Sequence, residues 1–228
     1  MSDPSFSDVE ACVFDAYGTL FDVHSAAARL KGEIGEHADS LSALWRQKQL
    51  EYSWLRSLMG RHEDFWHVTG SALDFAMAKH GLENPGLRSK LMEMYLELDA
   101  YPDVAETLTR LRDSGRKTAI LSNGAQSMLI AAAKSAGIYP LFDSILSVES
   151  VGIFKPHPST YQIAVDSLKV MPGHVAFMSS NGWDAHGATA FGFVAVWINR
   201  FQQPRELLPA PPHAEIGSLA EIPALLGV

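Results

Sequence analysis

A parallel α/β sheet with a helical insert after its first strand is the fold class that the sequence predicts, and three observations predict it. Ala11-Cys12-Val13-Phe14 is a short apolar run, with Val13 β-branched and Phe14 aromatic, and reads as a strand buried on both faces. From His24 to about Leu98 there is no strand signal, only helical periodicity. From Asp103 onward helix and strand patterns alternate, and strands separated by helices make a parallel sheet with right-handed crossovers.

The helical stretch begins with residues 41–59. Leu41, Leu44, Trp45, Tyr52, Leu55 and Met59 fall on one stripe at about 100° per residue, while Arg46, Leu50 and Trp54 fall on another, roughly opposite. Two apolar stripes predict a helix covered on both sides, with the Arg46 side turned to a cleft. A second helix spans 63–79 and stops at Gly81, and a third spans 87–98, ahead of Pro102. Then come a helix over 103–113, a strand over 117–122, a helix over 126–136 and a weaker strand over 143–148. A helix over 158–168, a strand over 175–179, a helix over 184–191 and a last core strand over 193–198 complete a Rossmann-like core. The proline-rich stretch 202–212 reads as loop, followed by a short terminal helix from about Ser218.

Composition narrows the function classes. A chain of 228 residues makes one α/β domain or a core with a modest insert. The formal net charge of −8 argues against nucleic-acid binding, and an anionic substrate must be drawn by local cations. The single cysteine, Cys12, cannot form an internal disulfide and sits where a small core residue belongs. The start Met1-Ser2-Asp3-Pro4-Ser5 has no apolar stretch of a signal peptide, and no segment is long and apolar enough to span a membrane. These features predict a soluble cytoplasmic protein. His62 and His67, five apart, do not share a helix face, and no metal-ligand pattern completes them.

Four stations carry chemistry. Asp15 follows the first strand, and in parallel α/β sheets ligands bind beyond the carboxyl ends of strands; a turn-capping Asp is the alternative. Ser122-Asn123-Gly124 ends the next strand and offers donors to an anion, or an ordinary turn. Lys155 is the only cation of the loop Phe154-Lys155-Pro156-His157-Pro158, with Tyr161 shortly after; a solvated charge and a core tyrosine are the alternatives. Ser179-Ser180-Asn181-Gly182-Trp183-Asp184 places a carboxylate after a buried strand, where on its own Asp184 reads as a helix N-cap.

The run Phe14-Asp15-Ala16-Tyr17-Gly18-Thr19-Leu20-Phe21-Asp22-Val23-His24 resembles the first motif of the haloacid dehalogenase superfamily, and within it the L-2-haloacid dehalogenases. The resemblance extends over essentially the whole chain, with all four stations in order. It implies a helical cap over 23–98 and a catalytic core of 1–22 and 99–228. It implies that Asp15 is a nucleophile forming an ester, with Thr19 in the same catalytic motif. The phosphatase branch carries a second Asp two positions on, as general acid and magnesium ligand; here that residue is Tyr17. The resemblance assigns Ser122 to the substrate carboxylate, Asn123 and Arg46 to the departing halide, and Lys155 to neutralising negative charge. Tyr161 would support the site, and Ser179, Asn181 and Asp184 match the branch's Ser-x-Asn-x-x-Asp. Tyr17, Gln47, Leu50, Phe65 and Trp183 match the pocket wall, and Ala16 lies beside them in the substrate-binding stretch. The implied reaction is hydrolysis of a short L-2-haloacid to a D-2-hydroxyacid and halide, by a homodimer paired through cap helices. No metal and no cofactor are expected. A phosphatase of the same fold and a catalytically silent binding protein are the rival readings.

Overall fold

The computed structural model describes residues 5–228; residues 1–4, on which the expectation about a signal peptide largely rests, lie outside the described residues. β1 (Ala11–Phe14) is followed, with no strand between them, by α1 (Ser25–Arg29), α2 (Lys31–Ile34), α3 (Ala38–Met59), α4 (Phe65–Lys79) and α5 (Pro85–Tyr95). Alternation then sets in: α6 (Val104–Asp113), β2 (Lys117–Ser122), α7 (Gln126–Ser135), β3 (Ser144–Ser147), α8 (Pro158–Leu168) and β4 (Val175–Ser179). The chain ends with α9 (Gly182–Phe191), β5 (Val194–Ile198), β6 (Ala214–Ile216) and α10 (Ile222–Leu225).

The strands form one parallel sheet in the order β3-β2-β1-β4-β5-β6. β1 is central, and Phe14 stands opposite Ile120 on one side and Met178 on the other. The chain winds outward from β1 to β2 and β3, then returns to β4 on the opposite side of β1. That reversal opens a crevice at the carboxyl ends of β1 and β4.

Side-chain alternation along β1 divides the core. Cys12 and Phe14 face a cluster shared with α3, α4 and α5, whereas Ala11 and Val13 face Tyr161, Phe177 and Phe193. Both faces are fully buried, so β1 is a continuous apolar run. Full burial of a Val or Phe contributes about 1.5–3 kcal/mol, which ties the site's central strand to both layers. Burial also pushes the Cys12 thiol up to about 12, so this cysteine is a packing residue.

The helices begin and end where local chemistry dictates. Asp64 Oδ1 accepts from the His67 amide at the start of α4, and Asn84 caps α5 ahead of Pro85. α3 closes at Gly60, which takes a left-handed φ of 63°. The two chain segments joining the helices to the sheet pair with each other: Asp22 N donates to Asp99 O at 2.8 Å and Tyr101 N to Leu20 O at 3.0 Å.

Three details depart from the sequence reading. The first stripe of α3 is buried only in part, because Leu55 and Met59 are 49% and 64% exposed at its carboxyl end. α9 starts at Gly182 rather than 184, with Asn181 in the N-cap position, so Asp184 is not the cap. β6 extends the sheet edge within what reads as tail; three residues after Pro211-Pro212, partly exposed, carry no usable period. Among the described residues no helix is long and apolar enough to cross a membrane.

Candidate active site

Asp15 is the first residue after β1, and its amide donates to Met178 O of β4 at 2.9 Å, which holds it over the crevice. Gly18, at φ 89°, then reverses the chain and lets Thr19 fold back. Thr19 Oγ1 donates to Asp15 Oδ2 at 3.3 Å and accepts from Ser180 N at 2.8 Å, clamping the loops after β1 and β4 together. Ala16 is fully buried, and its carbonyl closes this turn by accepting from Leu20 N and Phe21 N.

Lys155, only 1% exposed, arrives from the loop before α8 and lies between two carboxylates. Its Nζ is 3.2 Å from Asp15 Oδ1 and 2.9 Å from Asp184 Oδ2. The ammonium also lies 4.8 Å from the centre of the Phe177 ring. Asp184, in the first turn of α9, receives a second bond from the Tyr161 hydroxyl to Oδ1 at 2.8 Å. The close approach of α9 to Tyr161 requires Gly187, where a Cβ would lie 2.5 Å from the phenol oxygen. Burial raises Asp184 to about 6, and Lys155 opposes that rise while the Asp15 charge adds to it. Burial and Asp184 together push the Tyr161 phenol well above its ordinary range, so it stays a donor.

Asn181 ties the remaining pieces together. Its Nδ2 donates to Asp15 Oδ2 at 2.8 Å and to Tyr17 O at 3.2 Å, while its Oδ1 accepts from Arg46 Nη2 at 3.2 Å. Ser179, fully buried, accepts the Asn181 amide at 3.1 Å. Ser122 Oγ accepts from Gly124 N at 3.2 Å, and Asn123 Oδ1 accepts from Lys155 N at 2.9 Å. The latter bond leaves Nδ2 as the Asn123 side-chain donor for an anion. Tyr17 packs against this turn, stacked on Phe65 at 5.8 Å, and a Cβ at Gly124 would come within 2.7 Å of its ring.

A cavity of about 590 Å³ reaches Lys155 from outside. Trp54, Leu58, Phe154 and Trp183 line it, with the two indoles edge to face at 5.3 Å. Arg46 and Trp54 of the second α3 stripe therefore face the loop after β4, and the partly buried Leu50 lies between them on that stripe. Among the described residues no group of three or more His, Cys, Asp or Glu could hold a metal ion.

The sequence profile of haloacid dehalogenase-like hydrolases matches residues 9–192. The chain belongs to this hydrolase family. It is 50% identical over 219 residues to (S)-2-haloacid dehalogenase 1 of Pseudomonas sp. (strain CBS-3), covering 96% of each chain. It superimposes with a TM-score of 0.95 and 49% identity on a dehalogenase crystal structure with an intermediate complex, over 100% of both chains. The L-2-haloacid dehalogenase of Xanthobacter autotrophicus with chloropropionic acid covalently bound is also similar. That match has a TM-score of 0.91 and 38% identity over 96% of this chain and 98% of the other.

Gln47 lies exposed, donating to Glu51 Oε1 at 2.6 Å. Gln49, three residues beyond Arg46 and 1% exposed, takes the buried position and accepts from Arg46 Nη1 at 2.7 Å. Thr69 and Tyr95 complete its surroundings, and none of the three was legible as a site residue. The available signal was the i, i+3 spacing of Gln49 from Arg46.

Proposed function

We propose that this protein hydrolyses short L-2-haloalkanoic acids to D-2-hydroxyalkanoic acids and halide, through an ester on Asp15. The observation that carries the reading is a buried Asp15 bonded by Lys155, Asn181 and Thr19, with Tyr17 instead of a second carboxylate two positions on. The identity to enzymes named (S)-2-haloacid dehalogenase, and the covalently bound chloropropionic acid in a relative, support it.

In the first step an Asp15 carboxylate oxygen forms a bond to the substrate α-carbon, and the halide leaves opposite it with the bonding electron pair. Displacement inverts that carbon. The substrate carboxylate sits against Ser122 and Lys155, while Arg46 and the Asn123 amide face the departing halide. Tyr17, Phe65, Leu50 and Trp183 keep water from the nucleophile, which a hydration shell would weaken. In the second step water adds to the ester carbonyl and gives its proton to Asp184. The acyl–oxygen bond then breaks, Asp184 returns its proton to the departing hydroxyacid oxygen, and the Asp15 carboxyl releases the second water proton to solvent, which restores both carboxylates. The raised Asp184 carboxylate is a better base than an exposed one, and Lys155 keeps it ionised. Each step uses protein groups alone, so the reading assigns no metal or cofactor.

The helical segment 23–98 acts in this reading as the cap that supplies Arg46 to a core formed by 1–22 and 99–228. Exposed Leu55 and Met59 on α3 and Phe75 on α4 support pairing of two copies through cap helices. A cytoplasmic location rests on the lone buried cysteine, and the reading includes no nucleic-acid or membrane partner. The test is halide release from the two enantiomers of 2-chloropropionate, with and without chelator. Release from the (S) enantiomer alone, unchanged by chelator, is expected. Silence toward both, or magnesium-dependent turnover of an aryl phosphate, would replace this function.

A further inference from the structure

Among the described residues the hydrogen-bond partners of the Arg46 guanidinium are neutral oxygens: Gln49 Oε1 at 2.7 Å, Asn181 Oδ1 at 3.2 Å, the Tyr17 carbonyl at 3.4 Å and the Tyr95 hydroxyl. None of the ion pairs among the described residues includes it. Burial pushes the neighbouring Tyr17 and Tyr95 phenols above their ordinary range, so neither supplies a phenolate. A guanidinium held this way is fixed in place without being neutralised.

Proton counting fixes which end of Gln49 meets Arg46. The Thr69 hydroxyl donates its one proton to Phe65 O at 2.6 Å, so toward Gln49 it can only accept. Gln49 therefore turns Nε2 to Thr69 Oγ1, at 2.7 Å, and presents Oε1 to Arg46. The Tyr95 hydroxyl, 3.0 Å from Nε2 and 3.1 Å from Oε1, braces the same amide. Trp45 Nε1 donates to Thr69 O at 2.9 Å and locks α3 onto α4 at this level. The whole arrangement is buried, with Gln49 at 1% and Thr69 at 0% exposed.

We propose that Gln49, oriented by Thr69 and Tyr95, is a positioning residue that aims Arg46 at the leaving halide while leaving its positive charge unquenched. The proposal rests on the reading of Arg46 as the stabiliser of halide departure. It explains why an amide serves at 49 where a carboxylate would grip Arg46 harder. A glutamate would form a buried ion pair, and the field available to developing negative charge would fall. It would also set a second acceptor against the Thr69 oxygen, which has no proton to give.

Gln49→Glu tests this, through single-turnover halide release from (S)-2-chloro- and (S)-2-bromopropionate, steady-state KM, and binding of bromide ion to the resting enzyme. The expected result is a release rate lowered about a hundredfold for the chloride substrate and less for the bromide one. KM should stay within about threefold, because uniform binding is untouched. Bromide binding should weaken at least about tenfold, because the anion meets a paired guanidinium. Equal losses for both halides, or wild-type behaviour in all three measurements, would overturn the proposal. Should Gln49→Glu fail to fold, Thr69→Val releases the amide to turn over, and the same leaving-group dependence is expected; its absence overturns the proposal. Bromide binding needs no turnover, so the comparison stands even if the wild type releases no halide, an outcome that would reject the dehalogenase reading instead.

Discussion

Lys155 lies nearer to Asp184 than to Asp15: its Nζ is 2.9 Å from Asp184 Oδ2 and 3.2 Å from Asp15 Oδ1. The shorter contact goes to the carboxylate that is wholly buried and that burial pushes toward its neutral form. Asp15, held by Asn181 and Thr19 on one oxygen, leaves the other with a single longer contact. One cation thus keeps the proposed base ionised without fully occupying the proposed nucleophile.

The raised Asp184 value sets opposite pH trends for activity and stability. Its folded value of about 6 exceeds its ordinary value of 3.8, so between these limits the folded state binds more protons than the unfolded one. The resulting stability is fully present below the unfolded value and is lost as pH rises through about 6. Activity needs the ionised form, so kcat should rise with pH through the same window. Denaturation at several pH values should show a slope in this window that Asp184→Asn flattens, and a kcat without an acid limb near 6 would contradict the assignment.

Tyr161→Phe should move that limb upward. The phenol donates to Asp184 Oδ1 at 2.8 Å and favours the ionised carboxylate. A hydrogen bond to a charged group contributes about 1.5–3 kcal/mol, so its loss should raise the limb by about one to two pH units. An unmoved limb with a lower plateau would make Tyr161 a packing residue only.

Arg46→Ala should slow halide departure more than it weakens substrate binding. Removing one stabiliser of developing charge typically costs about 3 kcal/mol, near a hundredfold in rate. Steady-state kinetics on (S)-2-chloropropionate separates the outcomes. A raised KM with kcat intact would place Arg46 in uniform substrate binding.

The parts legible in the sequence were those governed by short-range pattern. Asp15 and Asp184 follow buried strands and Lys155 sits in a proline-fixed loop, but only the resemblance to the L-2-haloacid dehalogenases put the three at one site. The structure brings Lys155 within 3.2 Å of both carboxylates. The role of Gln49 beside Arg46 depends on the rotational phase of α3 against α4 and α5, which local spacing does not contain. Thr69 and Tyr95 enter from two further helices, and only their packing selects Gln49. Asp184 read alone as a helix cap because an Asp at a helix start commonly is one; Asn181 holds that position and frees the carboxylate for Lys155. β6 stayed hidden because three half-exposed residues at a sheet edge carry no period.

The order of bond making at Asp15 has its own test. If Asp15 is the nucleophile, the oxygen delivered to the first product molecule comes from its side chain. One turnover with excess enzyme in isotope-labelled water should then put label on Asp15 and none on the hydroxyacid. Over many turnovers the label should reach product, because each ester hydrolysis refills the carboxylate from solvent. Direct attack by water, with Asp15 as general base, would label the product at once. Asp15→Asn impairs both routes, so its loss of activity separates nothing. Mass spectrometry of the peptide carrying Asp15 and of the product follows the atom rather than the rate. Label in product after one turnover, with none on Asp15, would remove covalent catalysis from the mechanism.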